Sequence, residues 1–224
     1  MYIYGQRIPL AAPAHFKKTG LRELRPEDFQ VLLVDDKPDR EVRKNNYAKI
    51  LNYLSLLPKD KRPVVVCFDI IFISNAKADK VFLAALDRAI SAGIKLLIPI
   101  GDGLTGEMAL DKFKSRATQT VDVRLDTTDI ETEPKNYNMV KDIFSRRALP
   151  MSVAIVEAFN NDFKATKKSL KGYTGLSYSD ADKQIASTSY LKYSSAINYG
   201  RKIVVICANK KEDPATKDNG SVGP

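Results

Sequence analysis

Residues 31–40 read VLLVDDKPDR, and residues 63–72 read PVVVCFDIIF. Each contains an unbroken apolar run, rich in branched residues, that closes on a carboxylate. Apolar runs of this length, without polar alternation, mark strands buried on both faces. They place a first strand from Phe29 to Asp35 and a second from Val64 to Asp69. Between them Tyr47, Ile50, Leu51, Leu54 and Leu57 recur at three- and four-residue steps, which puts them on one face of a helix. Asn45 or Asn46 is a candidate cap for its start, and Pro58 ends it. A second helix is expected over 78–92, with Phe82, Leu86 and Ile90 inward. Gly93 stands where a left-handed residue closes such a helix. Ile94 to Ile98 gives a third strand. Strand, helix, strand, helix, strand with short connections predicts right-handed parallel crossovers. The expected fold class is α/β: a mostly parallel central sheet with helices on both faces, plus a hairpin insertion.

The rest of the chain is less regular. Gly101, Gly103 and Gly106 mark a loop, and residues 107–115 a short helix. Residues 118–125 alternate as a strand with one wet face, and 126–136 are polar and acidic. Residues 137–147 read as the hairpin, turning near Lys141 and Asp142. Pro150 is placed to open a helix reaching about Lys168. Residues 169–190 read as a Ser-, Tyr- and Lys-rich excursion, and Lys202 to Ala208 as a last apolar strand. This divides the chain into an irregular arm (1–28), one α/β domain (29–208) and a flexible tail (209–224).

Of 224 residues, 44% are apolar and 28% charged, too apolar a mixture for a disordered chain. No run reaches the ~20 apolar residues that span a bilayer. The opening MYIYGQRIPLAAPAHF lacks the pattern of a secretory signal, so the chain as given reads as soluble. Lys and Arg total 36 against 27 acids, a net charge of +9. The excess is diffuse lysine rather than arginine clusters interleaved with aromatics, so specific nucleic-acid binding is not expected. The single histidine, His15, has no second histidine near it, so a histidine-based zinc site or triad is not expected. Cys67 and Cys207 both fall in expected strands, where cysteine acts as a small buried hydrophobe.

The acids at the strand ends are the candidate site. In parallel sheets, ligands bind beyond the carboxyl ends of the strands. If the first two strands are neighbours, Asp35, Asp36 and Asp69 share that rim, with Asp102 following the third strand. Arg146, on the hairpin beside Arg147, is a candidate partner for these acids. Three roles stay open for the carboxylates: ordering turns by accepting backbone N–H bonds, holding Mg²⁺ or Ca²⁺, or recognising a polar small ligand. An acid pocket of the receiver or phosphatase kind would add a hydroxyl such as Thr105 or Ser115. Asp79 precedes a helix and suits its N-cap. Tyr173, Tyr178, Tyr190, Tyr193 and Tyr199 read as packing under a long segment, or as a ligand-facing wall.

In order and spacing, FQVLLVDDKPDR, NNYAKILNYL, PVVVCFDIIF, ADKVFLAALDRA and IKLLIPI resemble the type-2 CHASE domain, a sensory extracellular module of bacterial membrane receptors. The hairpin before SRRALPMSVAIVEAF adds to the likeness, which covers roughly residues 29–208. It implies a non-catalytic sensory domain outside the cytoplasm, at the periplasmic or cell-surface side of an inner-membrane protein. The implied partners are an unknown small-molecule ligand and a membrane-linked cyclase or kinase output domain of the same parent chain. The likeness leaves room for a homodimer, and needs no cofactor and no resident metal. The likeness itself transfers no binding residues; on the rim argument Asp35, Asp36, Asp69, Asp102 and Arg146 are expected to bind ligand. The alternative is a cytoplasmic, metal-dependent phosphoester hydrolase using the strand-end aspartates.

Overall fold

The computed structural model describes residues 24–35, 39–101, 108–122, 149–161, 186–189 and 197–209. Its strands are β1 (Phe29–Asp35), β2 (Val65–Asp69), β3 (Lys95–Pro99), β4 (Gln119–Asp122), β5 (Leu149–Pro150), β6 (Ala186–Ser189) and β7 (Ile203–Asn209). Its α-helices are α1 (Arg40–Leu56), α2 (Asp79–Ser91), α3 (Asp111–Lys114) and α4 (Met151–Asn160). The seven strands form one sheet in the order β5-β4-β3-β2-β7-β1-β6. Every pairing in it is parallel. The expected α/β class holds, with helices on both faces.

The expected adjacency of β1 and β2 does not hold, because β7 lies between them. The reason is burial. Ile203, Val204, Val205 and Ile206 are all fully buried, and an uninterrupted apolar strand gains most at the centre of a covered sheet. The edge position beside β1 goes to β6, whose sequence ASTS has no apolar residue larger than alanine.

Alternation along the strands builds two cores. Val34, Val66, Phe68, Ile98 and Ile206 face α1, α2 and α3 through Tyr47, Leu51, Phe82 and Phe113. Val31, Cys67, Leu97, Val121 and Val205 face α4 through Met151, Ala154 and Ile155. The chirality of crossovers explains the division. The steps from β1 to β2 and from β2 to β3 run in one direction across the sheet. The return from β5 to β6 runs the other way, so a connection of the same hand puts its helix on the opposite face.

Several boundaries differ from expectation. Helix α1 begins at Arg40, not near Asn46. Asp39 is its cap, accepting the Glu41 amide at 2.8 Å. The early turns carry few apolar residues, so hydrophobic spacing could not reveal them. On α2, Ile90 is exposed, and Ala85 and Ala89 take the buried positions against α1. Gly93 closes α2 at φ +83°, as expected. Pro150 belongs to β5 rather than to the helix after it. Helix α4 ends at Asn160, where Asn161 turns left-handed at φ 56°, short of the expected Lys168. The hairpin 137–147, the acidic loop, most of the N-terminal arm and residues 210–224 lie outside the described residues.

Helices α1 and α2 are braced at both ends. The Glu41 carboxylate accepts the amides of Lys77 and Ala78 where α2 begins. At the far end, Arg62 donates to the Leu57 carbonyl at 2.5 Å and to the Ala92 carbonyl at 3.1 Å. A negative group at a helix N-terminus and a positive one at C-termini each complement the backbone dipoles there. The pair fixes how the two helices lie over the sheet, and so where the rim residues stand.

Candidate functional site

The carboxyl ends of β1, β2 and β3 open on one rim. Of the expected ligand residues, Asp36, Asp102 and Arg146 lie outside the described residues, and for Asp35 only the backbone is described. Asp35 pairs in register with Asn209, and Asp69 with Cys207, on opposite sides of β7. Two strand spacings and a two-residue offset put their backbones about 12 Å apart. A cation bound at about 2.1–2.6 Å by both would need their carboxyl oxygens within about 5 Å of each other.

Asp69 is only 7% exposed, so it belongs to the sheet interior more than to the rim. The Cys207 thiol donates to its carboxylate. Cys67 lies two residues earlier on the same face, and both cysteines are free. Burial, and then the nearby Asp69 charge, push both thiols well above the ordinary range, so they stay protonated. No group of three or more His, Cys, Asp or Glu able to hold a metal occurs among the described residues.

The charged groups that do come together at the rim are Lys44, Asp79 and Lys112. Lys44 is on α1, Asp79 begins α2 and Lys112 is on α3. The Lys44 ammonium donates to Asp79 Oδ1 and to the Ser74 carbonyl, each at 2.5 Å. The Lys112 ammonium donates to the other Asp79 oxygen and to Asn75 Oδ1 at 2.6 Å. The Ala76 amide donates to Asp79 Oδ2 at 3.1 Å. The Asp79 and Lys44 side chains are 8% and 6% exposed, and Lys112 is 33% exposed. Burial alone would raise the Asp79 pKa. The bonds from Lys112, Lys44 and the Ala76 amide outweigh it and hold the carboxyl below its usual value.

Beneath this triad lies a cluster of five rings, Tyr47, Phe68, Phe72, Phe82 and Phe113. Their neighbouring centroids are 5.0–6.3 Å apart, mostly edge-on or tilted, as aromatic quadrupoles prefer. Lys44 and Lys112 both lie over the Phe113 ring, at 4.8 and 5.3 Å from its centre. The Leu110 amide donates to the Phe72 carbonyl at 2.9 Å, and the Ala109 amide to Ile100 at 2.8 Å, which seats α3 here.

Asp79 was expected to cap α2. It accepts one amide, Ala76, while Glu41 from the neighbouring helix accepts the two that follow. Ser115, a candidate hydroxyl for an acid pocket, donates instead to the Lys112 carbonyl at 3.2 Å. Lys44 was not singled out from sequence, yet its place was readable. Residues 44, 47, 51 and 54 form one helical stripe, and a lysine on a buried stripe needs an acid partner. A second polar group lies at the amino end of the sheet, away from the rim. There Lys95 donates to the Ala158 carbonyl at 2.5 Å and to Asn161 at 3.1 Å. Beside it, burial raises the Glu157 pKa against the opposing pull of Gln119 and Lys95.

Comparison with family models, with curated proteins and with solved structures finds no match for this chain. No helix among the described residues is long and apolar enough to cross a membrane.

Proposed function

We propose that this chain is a non-catalytic sensory module of the type-2 CHASE kind, which binds a small molecule at the strand rim. In this proposal it works outside the cytoplasm and signals to a membrane-linked cyclase or kinase output domain of its parent chain. The observation that carries the proposal is the convergence of the blocks that bear the resemblance. Tyr47 comes from NNYAKILNYL, Phe68 and Phe72 from PVVVCFDIIF, and Asp79 and Phe82 from ADKVFLAALDRA. All five meet in one ring-and-ion junction at the carboxyl end of β2. A junction that ties two helices and α3 to the rim is a suitable place for a ligand to bias two arrangements of these elements.

The phosphoester-hydrolase alternative needs carboxylates grouped around a cation. The separation of β1 from β2 takes the shared acid rim from both readings, and the thiol bond of buried Asp69 weighs further against the enzyme. The discriminating experiment is a thermal-shift screen of small metabolites on the whole chain, with and without divalent cations, run beside a phosphoester hydrolysis assay. Saturable stabilisation by a metabolite without turnover supports the sensor. Hydrolysis that depends on Mg²⁺ or Mn²⁺ and is lost in Asp36→Asn would replace it with the enzyme.

A further inference from the structure

We propose that the Lys44–Asp79–Lys112 junction is a receptor for a small carboxylate anion, with Lys112 as its outer contact and Lys44 behind it. This rests on the sensor reading above and names the ligand class for its rim. The expected ligand acids suggested a cationic or polar ligand, but the charge gathered here has the opposite sign. Two ammonium groups share one carboxylate, in a place where the lysine side chains are 6% and 33% exposed. Asp79 offsets one of the two ammonium charges, and Glu41 stands at the start of α2 nearby. Lys112, one-third exposed, carries the charge that an added anion can meet from the solvent side.

Asp79 is the junction's own precedent for a carboxylate. The junction already holds one, since Asp79 receives an ammonium on each oxygen. A second carboxylate beside Lys112 would complete two cations with two anions. Among the described residues Lys112 has two oxygen acceptors, Asp79 and Asn75, and an ammonium carries three donors. The Phe113 face offers both lysines only a partial negative charge at 4.8 and 5.3 Å, which a full anion exceeds. The backbone amides at the start of α2 are not part of this site, because Glu41 occupies them. Lys112 also belongs to α3, which follows β3, whereas Lys44 and Asp79 belong to α1 and α2. An anion on the spare Lys112 donor therefore sits directly beside the ion pair that links α3 to α2.

The test is titration of the whole 224-residue chain with sodium acetate and sodium benzoate against sodium chloride at matched ionic strength. Calorimetry and melting temperature are the readouts. The expected result is saturable, carboxylate-specific binding in the wild type and in Lys49→Met, a control at an exposed lysine of α1. Binding is at least tenfold weaker in Lys112→Met and largely kept in Lys112→Arg, with circular dichroism confirming that each variant is folded. Equal effects of carboxylate and chloride, or undiminished binding in Lys112→Met, overturn the inference. A metabolite from the screen that binds equally well to wild type and Lys112→Met would remove the carboxylate site and leave the sensor reading standing.

Discussion

Replacing Asp79 by asparagine removes the charge of the buried ion pair at nearly constant size, and exchanges one acceptor oxygen for an NH2 donor. Two partners are stranded unequally. Lys44 is 6% exposed and keeps the Ser74 carbonyl and the Phe113 face. Lys112 is 33% exposed and turns to water at little cost. Removing one partner of a buried pair costs about 3–5 kcal/mol, because an uncompensated charge stays behind. A partly solvated pair is worth about 1 kcal/mol or less. Asp79→Asn is therefore expected to lose about 3–5 kcal/mol in urea unfolding with an unchanged denaturant slope, and Lys112→Met about 1 kcal/mol. Lys44→Met with Asp79→Asn should cost less than the two single changes added, since the double variant strands no buried ammonium.

The same pair sets a pH dependence with a definite sign. The folded state holds the Asp79 pKa below its ordinary 3.8. A depressed carboxyl contributes stability above the unfolded value and loses it as pH falls through the folded value. The gap between wild type and Asp79→Asn should thus be full at pH 5–7 and narrow steadily below about pH 4. A cost under about 1 kcal/mol at neutral pH, or a gap that widens in acid, would show that Asp79 is solvated in solution and that the triad does not exist as described.

Three further outcomes follow from particular contacts. Glu41→Ala should cost about 1 kcal/mol and speed amide exchange at Lys77 and Ala78, because their cross-helix acceptor is gone. Gly200→Ala should cost more than Gly93→Ala in urea unfolding. A Cβ at Gly200 would lie 2.4 Å from the Asp60 carbonyl oxygen, whereas Gly93 has open space and only the penalty of a positive φ, about 1 kcal/mol. Cys67 and Cys207 should resist an aromatic disulfide reagent at pH 8 and react at the rate of unfolding, since burial and Asp69 keep both protonated. Fast labelling of either thiol in the folded chain would contradict their placement.

The sheet's strands and helices were legible because burial writes itself into residue spacing, and the Val65–Asp69 strand and the Gly93 stop needed little more than that. What spacing does not encode is lateral order. The run IVVIC in β7 already said that this strand is buried on both faces, but not between which neighbours it lies. β6 has no apolar signal, because an edge strand buries too little to need one. Asp69 shows a related limit. A strand that ends on a carboxylate looks the same whether the acid reaches solvent or, like Asp69, accepts a bond inside the sheet. The groups that do meet at the rim come from three helices separated in sequence, so only their burial could have announced them. Lys44 did so, by standing on the apolar stripe of α1 with Tyr47, Leu51 and Leu54. Lys112 gave a weaker sign beside Phe113, a ring that had to be buried and so carried its neighbour to the edge of the core. In a parallel α/β sheet, then, the informative residue for a site is less the acid at the end of a strand than the charge that interrupts a buried helical face.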